Sequence, residues 1–293
     1  MESLNEYVER YKGIINDHLN NYILSYTTPG RLRESMLYSI NAGGKRLRPI
    51  LVIATLEAFE IDPKKGIPVA CALEMIHTYS LIHDDLPAMD NDDLRRGQPT
   101  NHKQFDDATA ILAGDALLTL SFQVITEADT LSNEEKVFLV NELSKASGPS
   151  GMVDGQMRDM LSENEWITLR KLEAIHNSKT GQLLKFAILS GAYLGKVSEE
   201  SMQAVTEMAS ALGLIFQIQD DILDVIGDSD AIGKPIGSDE DNKKSTYPQL
   251  LGLEGAINQK KHYVDVAQKS LEKTGIQHTV LSELIDYLSN RDC

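Results

Sequence analysis

Apolar residues recur at three- and four-residue steps along most of the chain. The clearest run is Val205, Met208, Ala209, Leu212, Ile215, Phe216, Ile222, Leu223 and Ile226, the spacing of one buried helix face. Similar runs cover residues 69–86, 108–125, 136–143 and 169–189. Strand-like alternation bounded by turn residues is hard to find, and only nine prolines punctuate the whole. The pattern predicts an all-α protein, a single large helical bundle with ten or more helices around one core.

Breaks are expected at 27–30 (TTPG), 41–44 (NAGG), Pro87, 147–149 (SGP) and 196–198 (KVS), where a helix breaker or capping residue meets a change of pattern. None is a long linker, so residues 1–293 read as a single domain. The stretch 227–245, GDSDAIGKPIGSDEDNKKS, has no apolar period and reads as a binding loop or lid.

Composition narrows the class. With 42% hydrophobic and 25% charged residues the chain is globular and too apolar for disorder. A net charge of −16 argues against nucleic acid or an anionic membrane surface as a partner. The N-terminus is charged and amphipathic, unlike a signal peptide, and the apolar stretch 67–73 is too short to span a bilayer. The two cysteines, Cys71 and Cys293, make no disulfide framework and read as free thiols in a reducing cytoplasm.

The acid surplus is not evenly spread. In HDDLPAMD, Asp84, Asp85 and Asp90 close an apolar run that Pro87 must end, and His77 lies two turns back from Asp84. The chain is expected to curl after Pro87 and return Asp90 toward Asp84. In FQIQDDILD, Asp220 and Asp224 share one helix face with Gln217 one turn earlier. Clustered carboxylates repel and need protons, cations or metal. Hard oxygen donors with room for water and phosphate favour Mg²⁺.

Basic residues accompany both acid sets: Lys45, Arg46 and Arg48 beside the pair Gly43-Gly44, then Arg95 and Arg96, then Lys179 before Thr180, then Lys234, Lys243 and Lys244. Arg forks bind phosphate oxygens bidentately and Lys adds a point charge. Acid pairs and cations together suggest Mg²⁺ bridging a diphosphate whose remaining charge the cations neutralise.

The motifs GGKRLRP at 43–49, HDDLPAMDNDDLRRGQPTNH at 83–102, GDAL at 114–117, GMVDGQ at 151–156, KTG at 179–181, FQIQDDILD at 216–224 and GKPIGSDEDNKKSTYP at 233–248 occur in an order that resembles the short-chain trans-prenyl diphosphate synthases, the bacterial farnesyl diphosphate synthases (geranyltranstransferases) above all. A terpene cyclase lacks this second DDxxD.

The resemblance implies an isoprenoid-synthase bundle with a central cavity, working as a cytoplasmic homodimer. It implies Mg²⁺-dependent ionisation of dimethylallyl or geranyl diphosphate, attack by isopentenyl diphosphate and proton loss, with farnesyl diphosphate as main product. Asp84, Asp85 and Asp90 would hold two Mg²⁺ and Asp220 a third, with Asp224 acting through water. Arg95, Lys179 and Lys234 would clamp the allylic diphosphate, with Thr180 and Gln217 near the carbon where the cation develops. Lys45, Arg48, His77 and Arg96 would hold isopentenyl diphosphate without metal, and Lys244 would belong to the loop that closes over the site. Tyr79, five residues or roughly 7.5 Å of helix before Asp84, would floor the pocket beside the small Ser80.

Geranylgeranyl or geranyl diphosphate synthases share the scaffold and differ in pocket depth. A non-catalytic subunit of a heteromeric synthase would lose one or both aspartate motifs, and both are complete here. A helical bundle that binds Ca²⁺ or nothing would leave the basic motifs unexplained.

Overall fold

The computed structural model describes residues 2–163, 165–226, 245–276 and 279–291. Lys234, Lys243, Lys244 and Cys293 lie outside the described residues, as do all but the last residue of the predicted loop.

The described elements are almost all helical, as the apolar period requires. Internal contacts group into two compact units, Met1–Ile53 with Asp62–Asn141 and Ala54–Ile61 with Glu142–Cys293.

In the first unit α1 (Leu4–Tyr26) opens with a capping box, in which the Ser3 hydroxyl accepts from Glu6 N–H and the Glu6 carboxylate accepts from Ser3 N–H. Tyr7, Tyr11, Ile15, Leu19 and Ile23, each four residues apart, form its buried face. After α2 (Arg31–Asn41) and the start of α3 (Leu47–Ala58) comes α4 (Ile67–Asp84), buried on nearly every side. A helix with no polar stripe is the core of its unit.

A small hairpin follows, β1 (Leu94–Arg95) against β2 (Gln98–Pro99). Its turn residues Arg96 and Gly97 both have positive φ, as a two-residue type I′ turn demands. The pair of two-residue strands is too short to leave an alternating pattern, so only the structure reveals it. Beyond the short α5 (Asn101–Gln104), α6 (Asp107–Thr126) starts at Asp106, whose carboxylate accepts from Thr109 N–H. Helix α6 is the apolar run 108–125 of the sequence. It is the one described helix long and apolar enough to cross a membrane, and 44% of that window is buried inside the protein. The first part of helix α7 (Asn133–Ser147) ends the unit.

In the second unit α8 (Met152–Leu161) precedes α9 (Leu169–His176), a π-helical turn (Asn177–Gly181) and α10 (Gln182–Leu194). The long α11 (Glu199–Ile226) packs against α10, α12 (Tyr247–Lys273) and α13 (Val280–Asn290). Ile218 and Ile222 of α11 meet Leu172, Ile175 and Tyr247 in one buried cluster. The run 169–189 is therefore two helices joined by a wider turn, because one inserted residue per turn leaves the apolar period nearly intact.

Candidate active site

In the first unit Pro87 follows the end of α4 and the chain turns back, so that Asp90 N–H donates to the Asp84 carbonyl at 2.9 Å. This is the return the spacing predicts. Asp84 is partly exposed and Asp90 exposed. Asp85 points the other way, buried and gripped by Arg95, whose Nε lies 2.7 and 2.9 Å from its two oxygens. Burial works against the Arg95 charge, but the hydrogen bonds it donates to Asp85 outweigh this and raise the pKa.

The GGKRLRP segment divides in function. Arg46, expected among the anion-binding cations, is buried with a positive φ. Its Nη1 lies 2.5 Å from Glu74, the buried acid of α4, its Nε donates to Asn16, and its Nη2 donates to the Ile40 carbonyl. Arg46 anchors the loop, leaving the partly exposed Lys45 and Arg48 on either side. Arg48 Nη1 is 3.4 Å from His77 Nε2. Arg96 donates to the Gly43 carbonyl and lies flat against Gly44, where a Cβ would stand 2.7 Å from the guanidinium carbon. Burial, then Arg48 and Arg96, hold His77 well below its ordinary pKa. The ring is held neutral beside these cations.

Tyr79 is buried one turn before His83, in an edge-to-face contact at 5.6 Å. Burial first and the charge of Asp84 second push its phenol up to about 12. The Ser80 hydroxyl turns back to donate to the His77 carbonyl. The GDAL motif has a mechanical role here, because a Cβ at Gly114 would stand 2.2 Å from His83 Nε2.

In the second unit Lys179 and Thr180 lie in the π turn, a distortion common at functional sites. Lys179 Nζ is 2.7 Å from Asp159 on α8, and the Thr180 hydroxyl donates to Gln217 Oε1 at 3.1 Å. Gln217 Nε2 is 3.3 Å from Asp221 Oδ1. Asp221 Oδ2 accepts from Tyr247 N–H at 2.9 Å and stands 3.8 Å from His176 Nε2. The His176 ring stacks on Tyr247, and burial lowers its pKa to about 3. Asp224 lies one turn beyond Asp220, partly exposed.

Two partners escaped sequence reasoning. Asp159 follows the GMVDGQ motif by only three residues, a spacing that marks it as a candidate once α8 is known to flank the π turn. Arg291 pairs with Asp220, donates to the Phe216 carbonyl and covers the Phe216 ring at 4.1 Å. Seventy-one residues separate Arg291 from Asp220, and no local pattern could link them.

Glycines set the approach of α8 and α11 to the π turn. A Cβ at Gly155 would stand 2.2 Å from the Lys179 backbone nitrogen, and one at Gly213 would stand 2.9 Å from the Gly181 Cα. Gly155→Ala is expected to displace the π turn, costing about 1–3 kcal/mol of stability and weakening allylic substrate binding. Unchanged melting and KM would show that α8 can move aside.

The donor chemistry suits Mg²⁺. Both acid sets offer hard carboxylate oxygens, Asp84 and Asp90 at the end of α4 and Asp220 and Asp224 near the end of α11. Pairs of carboxylates match an ion that keeps its waters and takes substrate phosphate as ligand.

Each unit of this all-α chain thus carries acids near the end of a helix, and cations on the segments around it. The chain belongs to the polyprenyl synthetase family, whose model matches residues 29–284. It is 50% identical over 291 residues to the farnesyl diphosphate synthase of Bacillus subtilis (strain 168), covering 99% of this chain and 98% of that one. It is 42% identical to the geranylgeranyl diphosphate synthase of Cyanophora paradoxa, covering 98% and 96%. Among solved structures it resembles an FPP/GFPP synthase from Zymomonas mobilis in its apo form, with a TM-score of 0.85, 36% identity and coverage of 98% and 99%.

Proposed function

We propose that the chain is a farnesyl diphosphate synthase, which condenses isopentenyl diphosphate with dimethylallyl and then geranyl diphosphate. The observation that carries this reading is Arg48 Nη1 placed 3.4 Å from His77 Nε2, on the helix whose end bears Asp84, an arrangement that supports diphosphate binding beside that acid set. Geranylgeranyl diphosphate synthesis is the second reading, favoured by the Cyanophora relative and opposed by the buried ring of Tyr79.

Asp84 and Asp90 are the proposed ligands of two Mg²⁺, with Asp220 for a third and Asp224 through water. When bound there, Mg²⁺ supplies positive charge that stabilises the departing diphosphate. For Asp85 the geometry supports a different task, holding Arg95 so that its guanidinium faces the allylic diphosphate. Lys179, aimed by Asp159, adds a second cation, and Lys234 a third. Ionisation leaves an allylic cation, and the Gln217 carbonyl and Thr180 hydroxyl oxygens stabilise it with preorganised dipoles. Lys45, Arg48, His77 and Arg96 orient isopentenyl diphosphate so that its double bond attacks. The released diphosphate is the base that takes the proton.

We also propose that residues 1–293 act as a single functional domain, in the cytoplasm, as a homodimer. Ile111 and Leu112, exposed at 43% and 58% on α6, form an apolar face suited to a second copy, and a solution mass is the check.

Tyr79 sets the floor of the pocket. Tyr79→Ala should shift the main product from C15 to C20 or longer, as read by chromatography of the dephosphorylated alcohols. An unchanged product distribution would remove Tyr79 from this role. For the activity itself, product analysis with Mg²⁺, isopentenyl diphosphate and an allylic primer is the test.

A further inference from the structure

The paired acids Asp220 and Asp221 look equivalent in sequence, but a helix separates neighbours by about 100°. Asp220 and Asp224 therefore lie to one side of Gln217 and Asp221 to the other, within reach of the Gln217 amide. The Asp220 side chain is 41% exposed and that of Asp221 only 3%. Both Asp221 oxygens face protein donors, with Gln217 Nε2 at 3.3 Å and Tyr247 N–H at 2.9 Å. His176 Nε2 stands 3.8 Å from Oδ2, and the His176 ring stacks on that of Tyr247.

This contact decides which way the Gln217 amide points. An amide has a donor end and an acceptor end. The negative Asp221 carboxylate accepts from the NH₂ group and would repel the carbonyl oxygen, so Oε1 is turned to the Thr180 hydroxyl at 3.1 Å. Reversal of the amide would leave Asp221 without that donor and present N–H hydrogens where a carbocation needs lone pairs.

We propose that Asp221 is a positioning residue for prenyl transfer, which grips the Gln217 amide and so fixes the Gln217 carbonyl oxygen toward Thr180 and the developing cation. Tyr247 N–H, at the first turn of α12, holds the carboxylate from the other side, and Thr246 caps that turn by accepting from Gln249 N–H. His176 and Tyr247 act as walls that keep the carboxylate from rotating. The inference rests on the prenyl-transfer reading, which turnover by the parent enzyme tests separately.

A double-mutant cycle on the full chain provides the test. Asp221→Asn keeps the shape but offers its own N–H to Gln217, which turns the amide around. In the parent background kcat should fall by about 10²-fold, the scale of a misplaced reacting group. The Mg²⁺ concentration for half-maximal rate and the KM for isopentenyl diphosphate should stay within about twofold of the parent. In a Gln217→Ala background the same change should cost less than about twofold, because the group it acts through is gone. Asp221→Ser, too short to reach Gln217, serves as the second variant if Asp221→Asn melts far below the parent, and it should show the same non-additivity. Losses that multiply in the cycle, or a tenfold rise in the Mg²⁺ requirement, would overturn the proposal, the latter by making Asp221 a metal ligand.

Discussion

Asp84→Ala and Asp220→Ala should each lower kcat by roughly 10³-fold or more while leaving helical content and melting temperature close to those of the parent. The size follows from the difficulty of the step. Diphosphate leaves poorly while its charge is uncompensated, and removing one preorganised electrostatic partner typically costs about 10²–10³ in rate. The neutrality toward stability follows from position, since both side chains are partly exposed and exposed acids stabilise little. Asp220 adds a complication, because Arg291 pairs with it and is left beside Phe216 when the acid is removed. Steady-state rates with geranyl and isopentenyl diphosphate, set beside circular dichroism, provide the check. Near-normal turnover in either variant would sink the role assigned to that acid.

The largest effect on stability belongs to Arg46→Ala. Arg46 and Glu74 form an ion pair with side chains 1% and 3% exposed, tied further to Asn16 and the Ile40 carbonyl. Removing the arginine leaves Glu74 charged and uncompensated inside α4, which costs about 3–5 kcal/mol. The loop bearing Lys45 and Arg48 loses its anchor in the same step, so KM for isopentenyl diphosphate should rise. Urea unfolding measures the first effect and steady-state kinetics the second. The double variant Arg46→Met with Glu74→Leu should recover much of the stability, because an apolar pair carries no buried charge, yet leave the KM defect. A loss under 1 kcal/mol for Arg46→Ala would show that Glu74 finds another partner.

The helices and both acid sets were legible because their patterns are local. Apolar residues at steps of three and four announce a buried face, and Asp84, Asp90, Asp220 and Asp224 stand out against it. The roles of individual charges were less legible. Arg46 and Arg48 differ by two positions and look alike, yet one is a buried anchor and the other lies beside His77. Burial decides between them, and Glu74, a lone acid in an apolar helix, was the available hint. Asp85 and Asp221 posed the same difficulty, since each follows an outward acid and helix geometry turns it inward onto Arg95 or Gln217. Arg291 and Asp159 act on residues 71 and 20 positions away, beyond any periodic pattern. The π turn was hidden as well, because Gly155 and Gly213 shape it by close approach rather than by any motif of its own.

The central claim is best tested by the product of one reaction. The purified chain is incubated with isopentenyl and geranyl diphosphate, with and without Mg²⁺, and the chain length of the released diphosphate is measured. A C15 product that requires Mg²⁺ is the expected result. No condensation under any divalent ion, or a product dominated by C20, would contradict it.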